Sequence, residues 1–163
     1  MDLYKIFHYA LQREYEGKAF FEQNARRMSH ATAVEVFNKL AEEEAKHIRF
    51  IQAQIDALEN RPVQDTADIL AMANQGFFSQ RAQSELIDQT IAEAMVPDLP
   101  VLRMAYLIER DFADFYEMAA GKTSGNAQEV LQLLANWERG HERLFKQLHD
   151  NAFELYAEMP WGG

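Results

Sequence analysis

Along most of this chain apolar residues recur every three or four positions, and no segment alternates with a period of two. That pattern predicts helices and no strands. Four long periodic segments stand out, over residues 2–28, 32–60, 98–120 and 126–159. Short turns bound them: residues 29–31 after the first, Arg61-Pro62 after the second, and residues 121–126 after the third. Thr32 with Glu35, and Asn126 with Glu129, have the spacing of helix-capping boxes. Residues 61–97 are less regular; ADILAMANQGFF and SELIDQTIAEAM predict short amphipathic helices there, closed by VPDLP.

The two halves repeat. ALQREYEGKAFFEQNA aligns with AYLIERDFADFYEMAA at an offset of 95 residues, and EVFNKLAEEEAKHIRFI with EVLQLLANWERGHERLF at an offset of 94. The repeating unit is a helical hairpin. A connection as long as 61–97 carries the chain back along a bundle, so that the second hairpin packs on the first. The expectation is an all-α single domain over residues 1–163, a four-helix bundle of two hairpins. Hairpin 1 spans about 2–60, a long, partly helical crossover 61–97, and hairpin 2 about 98–159.

Six charged or titratable residues fall on the predicted apolar stripes. Around Glu44, steps of three, four and seven give Phe37, Leu40 and Ala41 before it and His47, Ile48, Ile51, Ile55 and Leu58 after it. Around Glu138 they give Leu131, Leu134, Ala135, His141, Phe145 and Leu148. Glu14 sits among Phe7, Ala10, Leu11, Gly17 and Phe21, and Glu109 among Leu102, Ala105, Tyr106, Phe112 and Tyr116. Glu42 and Glu43 lie off the stripe and read as solvated charges. The repeat pairs Glu14 with Glu109, Glu44 with Glu138 and His47 with His141. A buried unpaired carboxylate costs about 3–5 kcal/mol. Lys18 and Arg110 are nearby but can turn outward. Two divalent cations would balance four carboxylates, with neutral imidazoles completing the donor set. Carboxylate and imidazole together suit iron, manganese or zinc rather than calcium.

Composition narrows the rest. The formal net charge is −10 and the pI about 4.9, which argues against a nucleic-acid or anionic-membrane partner. No cysteine is present, so thiolate–metal sites and disulfides are excluded from this chain. No stretch has the length of a membrane span, and the first 17 residues lack a basic leader followed by an apolar run. The expected location is the cytoplasm. Tyr106, one turn from Glu109, reads equally as a residue that hydrogen-bonds a ligand or a bound oxygen species and as a core tyrosine. Trp137 points about 100° away from its neighbour Glu138 and reads as packing or interface. His8, His30 and His149 lack a Glu three residues earlier and read as surface residues. GKTSGN has neither the spacing nor the preceding strand of a phosphate loop.

With ALQREYEGKAFF, LAEEEAKH, YLIERDFADFY and WERGH in place, the chain resembles the ferritin-like superfamily and, within it, rubrerythrin-related proteins. The resemblance covers both hairpins. It implies a ferritin-like bundle with two iron ions per chain, held by Glu14, Glu44, His47, Glu109, Glu138 and His141, with Glu44 and Glu138 bridging. It implies a di-iron oxidoreductase, ferroxidase- or peroxidase-like, that oxidises ferrous iron with oxygen or hydrogen peroxide in iron homeostasis or oxidative-stress defence. The alternative is a non-catalytic module that binds or delivers iron. Two features depart from typical rubrerythrins. The cysteine-ligated rubredoxin-type electron donor has no counterpart here, and Phe112 stands where an additional Glu is usual. Electrons must then come from the ferrous iron itself or from a separate electron-donor protein. Ferritin-like bundles commonly associate, and ILAMANQGFF is richer in apolar residues than a solvated crossover needs. A homodimer or larger homo-oligomer is expected.

Overall fold

The computed structural model describes residues 2–61, 92 and 94–160. They form four long helices: α1 (Leu3–Ala25), α2 (Ala31–Leu58), α3 (Leu99–Ala120) and α4 (Asn126–Glu158), with a 3-10 turn at Val96–Asp98 before α3. There is no strand among the described residues. The all-α fold and the four helix positions match the sequence reading. Of the two short helices predicted within 61–97, ADILAMANQGFF and all of SELIDQTIAEAM but Ala92, Ala94 and Met95 lie outside the described residues.

The helix ends follow local chemistry, and two capping predictions are corrected. Asp2 caps α1 by accepting from the Lys5 N–H at 3.3 Å. The start of α2 is capped by His30, not by a Thr32/Glu35 box: its Nδ1 accepts from the Thr32 N–H at 3.2 Å. Glu35 pairs instead with Lys39, one turn on, at 2.7 Å. Asn126 is the first residue of α4 rather than its cap. Gly125 precedes it at φ 62°, ψ −146°, a backbone conformation that a residue with a Cβ strongly resists. Asn60 closes α2 at φ 54°, and the Arg61 N–H reaches back to the Asp56 carbonyl at 2.8 Å, a left-handed C-terminal cap.

α1 packs along α2, and α3 along α4. The two hairpins close on two separate apolar clusters. One gathers Phe7, Phe50, Ile51, Ile55, Tyr116, Leu131 and Leu134. The other gathers Phe21, Phe37, Leu40, Met95, Leu102, Phe145 and Leu148. In the second, the Phe21 and Phe145 rings stack at 5.4 Å and Phe37 meets both edge-on. Burying a Phe of this kind stabilises by about 1.5–3 kcal/mol. Gly17 lets α3 approach: a Cβ there would stand 3.2 Å from the Phe112 ring. Leu58, expected in the core, is 44% exposed, because α2 ends at that residue and overruns the packed region. Between the clusters the stripes carry Glu14, Glu44, Glu109 and Glu138.

Candidate metal centre

All four glutamates and both histidines are buried, each at 3% exposure or less. α1 supplies Glu14 and α3 supplies Glu109, while α2 supplies Glu44 with His47 and α4 supplies Glu138 with His141, one helical turn apart. Nδ1 of His47 lies 3.2 Å from Glu14 Oε2, 3.5 Å from Glu44 Oε2 and 2.9 Å from Glu138 Oε1. Nδ1 of His141 lies 3.1 Å from Glu109 Oε2, 3.3 Å from Glu44 Oε1 and 3.3 Å from Glu138 Oε2. Glu44 and Glu138 therefore each turn one oxygen toward each imidazole. The six residues form two donor sets, Glu14–Glu44–His47–Glu138 and Glu44–Glu109–Glu138–His141, that share the two central carboxylates.

An imidazole nitrogen carries at most one proton, so a single N–H cannot satisfy three carboxylate oxygens. Both oxygens of Glu44, both of Glu138 and Oε1 of Glu109 are buried and accept no well-formed hydrogen bond. Such oxygens are costly unless a cation replaces their hydration. The donor types, four carboxylates and two imidazoles, fit one divalent ion in each set.

The charges sort by position. Burial pushes the Glu14 and Glu109 carboxyls well above their usual range; the Glu138 and Glu44 charges add to this at Glu14, while His141 opposes it at Glu109. Burial and the Glu138 charge push Glu44 up as well, but the two imidazoles outweigh them and hold it at about 2. Glu138 is likewise held down by His47 and His141 against burial. Burial would lower both histidines, yet the carboxylates raise them well above their ordinary value. The central pair thus carries the negative charge and the outer pair is pushed toward neutrality.

The rubrerythrin family model matches residues 5–149, which takes in both hairpins and all six of these residues. This chain belongs to the rubrerythrin family. No curated protein and no solved structure matches it. The family usually binds iron.

Around this cluster, two residues to which the sequence pattern had assigned no part in the site contact it, Tyr116 and Trp137. Tyr116 donates its hydroxyl to Glu14 Oε1, and both groups are buried. The tyrosine expected in that role, Tyr106, is only partly buried and sits edge-on to His149 at 5.4 Å. It lies ten residues nearer the start of α3 than Tyr116, against the other apolar cluster. Trp137 does pack, as expected, but against the site: its ring lies 4.8 Å from His47 and 8° from parallel. Helical spacing within α4 says where Trp137 points but not which residue α2 presents to it. Of the other histidines, His8 is exposed against Tyr4, His30 caps α2, and His149 is partly buried beside Asp150, so two of the three are not plain surface residues. Lys18 and Arg110 turn away from the site as expected; Lys18 pairs with Glu22.

Proposed function

We propose that this protein is a dinuclear iron oxidoreductase that oxidises ferrous iron with hydrogen peroxide or oxygen. Glu14, Glu44, His47 and Glu138 would hold one ion; Glu109, Glu44, Glu138 and His141 would hold the other. The observation that carries this reading is the shared pair: Glu44 and Glu138 each offer one oxygen to either donor set, 2.9–3.5 Å from the two imidazoles. A pair of irons bound there would supply one-electron redox chemistry at two adjacent centres. The stoichiometry balances without an outside reductant: two ferrous ions give two electrons, which with two protons reduce one hydrogen peroxide to two waters.

The residues around the site support such a step in three ways. The two apolar clusters exclude water from both ends of the carboxylate layer. Tyr116 fixes the orientation of Glu14. Glu14 and Glu109, pushed toward their protonated forms, can each release a proton as a cation arrives, which keeps the buried charge small.

The test is iron loading without oxygen, then addition of peroxide or air with the ferric absorbance recorded. We expect saturation at two irons per chain and loss of the ferrous state in a burst of matching size. Saturation at one iron would overturn the dinuclear reading. Two irons that stay ferrous in the presence of both oxidants would leave a non-catalytic iron-binding module.

A further inference from the structure

We infer that Tyr116 makes the two metal positions unequal, so that the Glu14/His47 position has fewer protein oxygens, holds its ion less tightly and is the one open to a small exogenous ligand. The inference rests on the two-metal reading above. It starts from a break in the repeat. At the offset of 95 that equates Glu14 with Glu109, Tyr116 corresponds to Phe21. The tyrosine hydroxyl donates to Glu14 Oε1. Phe21 has no hydroxyl to offer Glu109, and Glu109 Oε1 is buried without a hydrogen-bond partner.

The protein atoms available to each ion therefore differ. At the first position they are His47 Nδ1 and one oxygen each from Glu14, Glu44 and Glu138, because Glu14 Oε1 is engaged. At the second they are His141 Nδ1 and one oxygen each from Glu44, Glu109 and Glu138, and the other Glu109 oxygen, Oε1, carries no hydrogen bond that would compete with a second contact. Two effects weaken the first position. A hydroxyl donating to a carboxylate withdraws charge from it and makes it a poorer donor. Without metal, the orphaned Glu109 oxygen carries a desolvation cost that a cation would relieve, whereas Tyr116 has already relieved it at Glu14. Preorganisation works the other way, since Tyr116 and the Trp137 ring hold Glu14 and His47 in place. It is the smaller effect, because Glu109 and His141 are equally buried and have little freedom left to lose.

The experiment is a titration of the metal-free full chain with Co2+, followed by calorimetry and visible absorption. The parent should bind two ions in separated steps. Tyr116→Phe should keep two ions and tighten the weaker step about tenfold, as expected for removing one hydrogen bond to a charged group. Azide should change the cobalt spectrum of the parent after the second equivalent and not after the first. An unchanged or wider gap in Tyr116→Phe overturns the inference. So does azide sensitivity that is complete at the first equivalent. A parent that binds one cobalt or none would instead overturn the two-metal reading itself, so the two failures are distinguishable.

Discussion

The two hairpins place identical residues at the six site positions, yet they support them differently. Where hairpin 2 has Phe112, Tyr116, Trp137 and Arg139, the repeat-equivalent residues of hairpin 1 are Gly17, Phe21, Glu43 and Ala45. Each difference has a visible consequence. Phe112 fills the space that Gly17 leaves. Tyr116 and Trp137 reach across to Glu14 and His47 of the other hairpin. Arg139 ties α4 to α3 through Glu117 at 2.8 Å and also contacts Asp114 and Glu142, whereas Glu43 turns outward to Lys46. The six site residues are symmetric in type, and the asymmetry comes from residues outside that set. Hairpin 2 props the hairpin 1 half of the site through Tyr116 and Trp137, whose repeat equivalents are Phe21 and Glu43.

The largest effect should come from breaking what the halves share. Glu44→Gln or Glu138→Gln should abolish binding of the second ion and all rapid ferrous oxidation, because the amide leaves one donor set short of an oxygen and deprives both sets of the shared negative charge. Metal analysis with stopped-flow absorbance checks this; full two-metal binding in either variant would show the central carboxylates to be dispensable. In chelator, Glu44→Gln should also destabilise by about 3 kcal/mol, since it strips a charge from buried imidazoles.

Next come the outer carboxylates, where the halves should part company. Glu109→Gln should remove the tighter binding step and Glu14→Gln the weaker one, each leaving a single ion bound. In chelator, Glu109→Gln should unfold at no lower temperature than the parent, because the amide replaces a carboxyl already pushed toward its neutral form. Calorimetric metal titration and thermal unfolding of the pair check both statements.

A smaller effect should appear in the pH dependence. Glu14 and Glu109 are raised above 4.5, and His47 and His141 above 6.5. Each contributes stability that is complete below its unfolded value and is lost as pH rises through its folded value. Glu44 and Glu138 are lowered, so their contribution is complete above 4.5 and is lost only on acidification, through about 2 for Glu44. From pH 4.5 upward the four raised groups all act in the same direction. The metal-free protein should therefore lose stability as pH rises, and the zinc-loaded protein should not, because bound metal requires the deprotonated donors. Unfolding temperatures in chelator and in zinc, between about pH 5 and pH 9, read the contrast.

The smallest effect concerns the brace outside the site. Arg139→Ala should cost about 1 kcal/mol, a fall of about 2–4 °C in unfolding temperature, with metal binding unchanged. A larger fall accompanied by weaker metal binding would mean that the surface brace and the site are coupled.

Much of this molecule was legible in the chain. The 3.6-residue stripes located all four helices to within a few residues, because a helix that buries one face must repeat its apolar positions at that period. The duplication then singled out Glu14, Glu44, His47, Glu109, Glu138 and His141, since charged residues on equivalent core stripes demand a common explanation. The helix caps were less legible. Histidine can accept at Nδ1 as Thr accepts at its hydroxyl, so the Thr32 signature pointed two residues too late. Leu58 shows that a stripe does not say where the bundle ends.

The sequence by itself determined which residues would be buried together and how many carboxylates would need a counter-charge. Only the tertiary structure decided which tyrosine reaches them, which ring covers which imidazole, and that Glu109 keeps an orphaned oxygen where Glu14 does not. The reason is physical. Periodicity describes the face of one helix, whereas Tyr116–Glu14 and Trp137–His47 are contacts between helices 102 and 90 residues apart in the chain. Their meeting depends on the relative rotation and offset of two packed hairpins, which side-chain volumes across the whole interface set together.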